Sequence, residues 1–119
     1  MSLIVQGDTL FATGLIDDDF GRFRQILAQP QIKRIVYVNS PGGDLWTGFA
    51  VGRLTAEKKL ATVVAGRCLS ACALMFLGGT ERNFSDAFPP EKTYLGIHGP
   101  HNKFTQELKW TPSSRQTPR

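Results

Sequence analysis

The sequence lacks the features that mark a membrane-spanning or cofactor-dependent protein. None of its uninterrupted apolar runs approaches the ~20 residues needed to cross a bilayer. It contains no Walker loop, dinucleotide-binding fingerprint or EF-hand loop, and we therefore expect no cofactor and no metal ion. What it has is 119 residues, 41% of them hydrophobic and 10% aromatic, enough for one domain whose core needs no disulfide or metal to hold it.

Positive charge is in slight excess, but little of that excess lies in the body of the chain. The formal net charge is +4. Residues 1–102 hold ten Lys/Arg and nine Asp/Glu, whereas residues 103–119 hold four and one. A groove that binds phosphates needs basic residues grouped on folded elements. We therefore predict no nucleic-acid partner, and we interpret the chain as a domain at 1–102 followed by a polar, basic and disordered tail at 103–119.

The amino-terminal residues carry no visible export signal. A basic segment followed by a long apolar stretch is missing from them. The sequence thus predicts a cytoplasmic protein, or a periplasmic one whose leader has been removed. In the second case, an association with the membrane or the cell envelope stays open.

Strand-like and helical segments alternate along the domain. Apolar residues at helical spacing, or runs of helix formers, predict helices over 20–28, 45–59 and 68–77. Runs of β-favouring residues predict strands at 3–5, 34–39, 61–66 and 94–98. Continuous apolar runs are typical of strands buried on both faces, as in a parallel sheet that helices cover. The alternation therefore predicts an α/β domain with right-handed crossovers.

Two strand-to-helix junctions hold the residues best suited to chemistry. The first, Ser40-Pro41-Gly42-Gly43, leaves backbone N–H groups free at a helix start, where they favour negative charge. A tight turn that needs two glycines explains the same residues. At the second junction Ser70 precedes an apolar helix. A serine there is commonly an N-cap, but the N–H of Ala71 could also stabilise an oxyanion beside the Ser70 hydroxyl.

His98 supplies the base that a nucleophilic serine needs. Neutral imidazole is the usual proton acceptor for a serine hydroxyl. His98 ends the predicted strand at 94–98, so it shares a sheet edge with both glycine-bearing junctions. An isolated histidine at a strand end is more commonly structural, but this position pairs it with Ser70.

Three blocks together resemble the Clp-type serine peptidases and their signal-peptide-peptidase relatives. In chain order they are Asn39-Ser-Pro-Gly-Gly-Asp-Leu-Trp-Thr-Gly48, then Ser70 in a turn of small residues before a helix, then Leu95-Gly-Ile-His-Gly-Pro100. The Cys68-x-Ser-Ala-Cys72 segment is most similar to that of uncharacterised, often periplasmic, Clp-like bacterial proteins. The likeness covers roughly residues 3–100.

This resemblance implies a fold, an activity and a set of site residues. The implied fold is ClpP/crotonase-like, with repeated β-β-α units and a mostly parallel sheet packed against helices. The implied activity is that of a serine hydrolase acting on a peptide or another acyl substrate. Ser70 would be the nucleophile, His98 the general base, and the N–H groups of Gly43 and Ala71 the oxyanion hole. Members of these families form closed rings, so a homo-oligomer is also implied.

The third member of a catalytic triad has no clear counterpart in the chain. Clp-type enzymes place an acidic residue well downstream of the histidine, but Glu107 is the single acidic residue after His98. The resemblance therefore implies a C-terminally truncated domain. Signal-peptide-peptidase relatives use a lysine base instead, and none of the three lysines at 92, 103 and 109 lies in a matching motif. An inactive assembly or interaction module is the main alternative to the enzyme.

Cys68 and Cys72 leave three interpretations open. Residues four apart at a helix start can approach the ~5.5–6 Å that separates the Cα atoms of a disulfide, and a disulfide favours an oxidising compartment. Buried free thiols are the second interpretation. Together with His98 and His101 the cysteines would also supply the four ligands of a Cys2His2 zinc site. In such a site His98 would bind the metal and could not act as the catalytic base.

Several large apolar residues predict a subunit interface. We interpret Trp46, Phe49, Met75 and Phe76 as core or interface residues. Leu77, Phe84, Phe88 and Leu95 fall outside the predicted core and should form an exposed apolar patch. Such patches usually mark an interface on a protein, which again predicts a homo-oligomer.

Overall fold

The computed structural model describes residues 1–98 and 105–109, with the backbone alone described at 98 and 105–109. The strands of this part are β1 (Ser2–Gln6), β2 (Thr9–Thr13), β3 (Arg34–Ser40), β4 (Ala61–Leu69), β5 (Arg82–Phe84), β6 (Tyr94–His98) and β7 (Thr105–Lys109). The helices are α1 (Phe20–Leu27), α2 (Leu45–Glu57) and α3 (Ala71–Leu77), and a short 3-10 turn covers Pro90–Lys92.

One mixed sheet organises the molecule. Its strand order is β1-β2-β3-β4-β6-β7, and β5 pairs with β4 beside β6. The pairs β2/β3, β3/β4, β4/β5 and β4/β6 are parallel, whereas β1/β2 and β6/β7 are antiparallel. The predicted α/β class with a mostly parallel sheet packed against helices is confirmed.

The central strand β4 differs from its prediction at its carboxyl end. Sequence patterning assigned residues 68 and 69 to a helix, and that assignment is wrong, because β4 continues through Leu69. Cys68 pairs with Ser40 of β3 and with Leu95 of β6. Backbone hydrogen bonds to strands on both sides outweigh the local helix preference of this apolar run.

Strand β7 lies within the segment 103–119 that was predicted as a polar tail. It pairs antiparallel with β6, from Tyr94 opposite Lys109 to His98 opposite Thr105. Its sequence, Thr-Gln-Glu-Leu-Lys, carries little apolar pattern. An added edge strand is held by backbone pairing, so it needs no such pattern. The tail prediction is therefore wrong for 105–109, residues 110–119 lie outside the described part, and the boundary at 102 stays a prediction.

The core lies between the sheet and its helices. Met75, Phe76 and Leu95 belong to it. The prediction that Leu95 lies outside the core is wrong, because its pairing with Cys68 places it in the middle of the sheet. Phe84 and Phe88 are half-buried. The large apolar side chains left exposed on α2 and α3 are Leu45, Trp46, Phe49 and Leu77.

The described helices are too short to cross a bilayer. The longest, α2, has 13 residues, and no helix in residues 1–98 combines the length and apolarity of a membrane span.

Tyr37 on β3 is the one buried polar side chain of the described part that lacks a hydrogen-bond partner. Its ring is fully buried. Burial raises the pKa of its hydroxyl, and the neighbouring Thr55 offsets this only in part. The Thr55 hydroxyl itself donates to the carbonyl oxygen of Val51 at 2.7 Å. The Tyr37 hydroxyl is thus removed from water without full compensation.

We expect Tyr37→Phe to stabilise the protein. Removing an unpaired buried hydroxyl while keeping the ring should raise the free energy of unfolding by about 1 kcal/mol. Urea denaturation followed by circular dichroism measures the change. Thr62→Val, which removes a buried hydroxyl that donates to the Phe76 carbonyl oxygen, serves as the control and should destabilise the fold. A Tyr37→Phe variant that is less stable than the wild type would contradict the prediction.

Candidate active site

A β-bulge near the carboxyl end of β4 sets the direction in which the strand leaves the sheet. Val38 and Ser40 of β3 pair with Ala65 and Cys68 of β4, so two residue steps on β3 lie opposite three on β4. The Arg67 N–H donates to Oδ1 of Asn39 at 3.2 Å, across the bulge. Bulges bend the strand and commonly re-aim side chains beside functional sites.

The chain then turns at Ser70 in a backbone conformation that residues other than glycine rarely adopt. Ser70 has φ 54° and ψ −114°, and Ala71 is the first residue of α3. A non-glycine residue held in this region costs roughly 1–3 kcal/mol, and such residues cluster at active sites. We call Leu69-Ser70-Ala71 the serine turn. It has the character of a nucleophile elbow, a sharp strand-to-helix turn that presents a serine hydroxyl.

The Ser70 side chain does not act as an N-cap, which was the simpler interpretation of this residue. Ser70 occupies the N-cap position of α3, but its hydroxyl makes no capping hydrogen bond. Its backbone N–H donates to the carbonyl oxygen of Gly96 on β6 at 2.6 Å. The backbone of the serine is therefore fixed to the neighbouring strand while its half-buried hydroxyl stays uncommitted within the described part.

The residues 40–43, which we call the glycine loop, are held by contacts on one side. The buried Ser40 hydroxyl donates to the Gly14 carbonyl at 2.8 Å and accepts the Gly42 N–H at 3.2 Å. Ile16 adds two backbone bonds, from its N–H to the Gly42 carbonyl at 2.8 Å and from the Asp44 N–H to its own carbonyl at 3.0 Å. In this parallel bridge the N–H of Gly43 points away from Ile16.

The glycine loop touches the serine turn. A Cβ atom built on Gly42 would lie 2.6 Å from the Leu69 carbonyl oxygen and 3.0 Å from Cβ of Ser70. The predicted oxyanion donors, Gly43 and Ala71, thus belong to two segments in contact. Neither N–H donates a hydrogen bond to any group in the described residues. Two free donors beside an uncommitted hydroxyl are what an oxyanion hole needs.

Asp44, directly after the glycine loop, serves the helix α2. Its carboxylate accepts hydrogen bonds from the hydroxyl and the backbone N–H of Thr47, and these hold its pKa below the ordinary value. This is an N-cap of the usual kind. The sequence brings a carboxylate close to the serine turn, but the fold uses it to start a helix.

His98 reaches the same end of the sheet through β6. Its backbone lies two residues beyond Gly96, which pairs with Leu69 of the serine turn. The His98 side chain lies outside the described part, and so do the side chains of Glu107 and Lys109 and all of Lys103. Glu107 pairs with Gly96 in register. Lys92 ends the 3-10 turn and borders a surface cleft with Asn39, Arg67, Glu91 and Tyr94.

Cys68 and Cys72 form a disulfide, with 5.2 Å between their Cα atoms. Both residues are fully buried. In this bond neither sulfur is the thiolate that zinc binds, which removes two of the four ligands of the Cys2His2 interpretation. His101, a third of those ligands, lies outside the described residues. Among the residues that the structure does describe, no group of three or more metal-ligating side chains forms.

The supporting roles of three residues were missed at the level of sequence. Ile16 and Ser40 hold the glycine loop, and Asn39 holds the bulge. Asn39 has φ 47°, a conformation in which asparagine is enriched, and it precedes a turn cluster, so its role had a visible signal. Ile16 had none, because its contribution is a backbone bridge to Gly43, which is distant in the sequence.

We expect Gly43→Ala to disturb the glycine loop. Gly43 has φ 141°, and an added methyl would collide with the Ile16 carbonyl. The crowding should lower the free energy of unfolding by about 1–3 kcal/mol. Gly21→Ala is the matched control, because Gly21 lies in α1 with open space around it, and this variant should be neutral or up to about 1 kcal/mol more stable. Urea denaturation of both compares them. Equal stabilities would contradict the close approach.

Comparisons with known proteins agree with the fold. A sequence profile of the Clp protease family matches residues 10–109, which include the glycine loop, the serine turn and β6. Among solved structures, the ClpP1 N165D mutant from Listeria monocytogenes is similar in fold, with a TM-score of 0.55 and 20% identity over 78% of this chain and 57% of that chain. The chain therefore spans little more than half the length of that subunit. A search of curated proteins finds no match. With the profile covering most of its length, the chain belongs to the Clp protease family.

Proposed function

We propose that this chain is a serine hydrolase domain that cleaves a peptide or another acyl substrate through Ser70. One observation carries the proposal: Ser70 has the backbone conformation of a nucleophile elbow, and its hydroxyl is not used as a helix cap. Membership of the Clp protease family supports the same reaction class. The free N–H groups of Gly43 and Ala71 also support it, because they belong to two segments that meet at Ser70.

The proposed reaction is an acyl transfer in two steps. The Ser70 oxygen attacks the substrate carbonyl carbon, and its proton passes to the imidazole of His98. The carbonyl oxygen becomes an oxyanion that accepts hydrogen bonds from Gly43 and Ala71. Collapse of this intermediate breaks the bond to the leaving group, which takes the proton from His98. Water then hydrolyses the acyl-serine with His98 again as the base, and Ser70 is regenerated.

Glu107 is our candidate for the acid that orients His98. Asp44 is engaged by Thr47, so it does not serve this purpose. Glu107 is placed beside β6 by the register of β7, opposite Gly96. A triad of this kind would take its acid from the edge strand β7, whereas Clp-type enzymes take theirs from a helical region well downstream of the histidine. The competing proposal is an inactive module that keeps the fold, and it is favoured by the 57% coverage of the ClpP1 subunit.

We expect a fluorophosphonate probe to label the protein on Ser70. Ser70→Ala should abolish labelling, and His98→Ala should slow it by at least about 10²-fold, since general base catalysis contributes 10²–10⁴. Ser85→Ala is the control, because Ser85 is a half-buried serine in a loop whose hydroxyl accepts the Ala87 N–H, and it should label like the wild type. Intact-mass and peptide mass spectrometry measure the labelling. Labelling that survives Ser70→Ala rules out this nucleophile, and a folded wild type that never labels favours the inactive module.

We further propose that the chain assembles as a homo-oligomer through the apolar surface of α2 and α3. Phe49 on α2 is 58% exposed and Leu77 at the end of α3 is 44% exposed. Together with Leu74, Ala56 and the stem of Arg53 they line one shallow groove. Exposed apolar side chains that lie together on a protein surface can mark an interface. A second copy of the chain is the occupant that the family suggests.

We expect the wild type to run as an oligomer in size exclusion with light scattering at micromolar concentrations. Phe49→Ser should shift the measured mass toward that of a single chain, because it removes the largest ring of the groove. Ile4→Ser is the matched control, since Ile4 is 55% exposed on β1 away from this groove. A wild type that is folded and has the mass of a single chain contradicts the proposal.

A further inference from the structure

The disulfide between Cys68 and Cys72 encloses the serine turn. Cys68 is the second-to-last residue of β4, and Cys72 is the second residue of α3. The ring that the bond closes therefore contains Ser70 and Ala71, the proposed nucleophile and one proposed oxyanion donor. Both cysteines are fully buried, within the same core as the sheet.

The serine turn has an alternative conformation that would inactivate it. A serine at an N-cap usually takes an extended backbone conformation, and its hydroxyl accepts the N–H of the second or third helical residue. For Ser70 these donors are Cys72 and Ala73. Adopting that cap would relieve the positive φ and pair a free donor, but it would also engage the nucleophilic oxygen. Something must hold the turn away from this conformation.

Contacts with the neighbouring strands fix the sheet side of the turn. Cys68 is paired with Ser40 and Leu95, and the Ser70 N–H donates to Gly96. The helix side is α3, a helix of 7 residues that packs against α2. The disulfide is the covalent link between the two sides, and it keeps the first turn of α3 5.2 Å from β4, measured between Cα atoms.

We propose that this disulfide is a positioning element that holds Ser70 in its reactive backbone conformation. The inference rests on the proposed function of Ser70. Because both sulfurs are buried, thiols in solution reach them slowly. We therefore expect the bond to persist in the folded protein in an oxidising compartment, where disulfides form.

The test compares oxidised and reduced protein with the fluorophosphonate probe. Wild type is unfolded in urea with dithiothreitol, so that the cystine takes up two electrons and two protons to give two thiols while dithiothreitol becomes its cyclic disulfide. It is then refolded in reductant, and Cys68→Ala/Cys72→Ala is prepared in parallel. Maleimide labelling after denaturation should count no thiols in the oxidised form and two in the reduced form. Circular dichroism selects conditions in which every form is folded.

The expected result is a loss in rate without a loss in probe binding. The maximum labelling rate should fall at least about 10-fold in the reduced and double-variant forms, while the half-saturating probe concentration changes less than about 2-fold. Reoxidation should restore the rate. Val64→Ala, a core truncation earlier in β4, controls for destabilisation and should leave the maximum rate unchanged.

Each other outcome has one meaning. Equal maximum rates for folded oxidised and reduced protein overturn the positioning role and leave Ser70 as the nucleophile. A Val64→Ala rate as low as that of the double variant also overturns it, because general destabilisation then suffices. Two thiols counted in the unreduced protein overturn the bond itself. No labelling of Ser70 in oxidised wild type overturns the proposed function, and the inference falls with it.

Discussion

The pairing of β4 with β3 on one side and β6 on the other is the constraint on which the site depends. Its last residues, Cys68 and Leu69, are held by these neighbours, so the chain leaves the sheet from a fixed position. The hydrogen bond from the Ser70 N–H to Gly96 continues that pairing by one residue beyond the strand. The serine is therefore presented by the sheet, and α3 begins only after it.

A second consequence of the same pairing is the position of the glycine loop. Strand β3 runs parallel to β4 and ends beside it, so the turn that follows β3 meets the serine turn. Ser40 and Ile16 take up the hydrogen bonds on one side of the loop, and the N–H of Gly43 has no acceptor among the described residues. The free donors are a product of how the other groups are satisfied.

The serine turn combines strain with uncommitted polar groups, and both oppose stability. A positive φ at Ser70 costs roughly 1–3 kcal/mol, a large share of the marginal stability of a small domain. The surrounding strands, the α2/α3 contact and the disulfide hold this conformation because each fixes a different side of it. The proposed reactivity of Ser70 and the local instability of its turn would thus have the same physical origin.

The sequence by itself determined the α/β class, the four predicted strands and the three helices, because apolar periodicity and turn residues are local signals. It also named Ser70 and His98 as a catalytic pair, which stays a prediction. It did not predict β2, β5 or β7, and it assigned Cys68 to a helix. Strand pairing decided those elements, since backbone hydrogen bonds join residues far apart in sequence and need no local pattern. The tertiary structure alone decided that the Ser70 hydroxyl is no cap, that Ile16 holds Gly42 and Asp44, and that Leu95 is buried. Each of these follows from a neighbour on another strand, which no stretch of sequence contains.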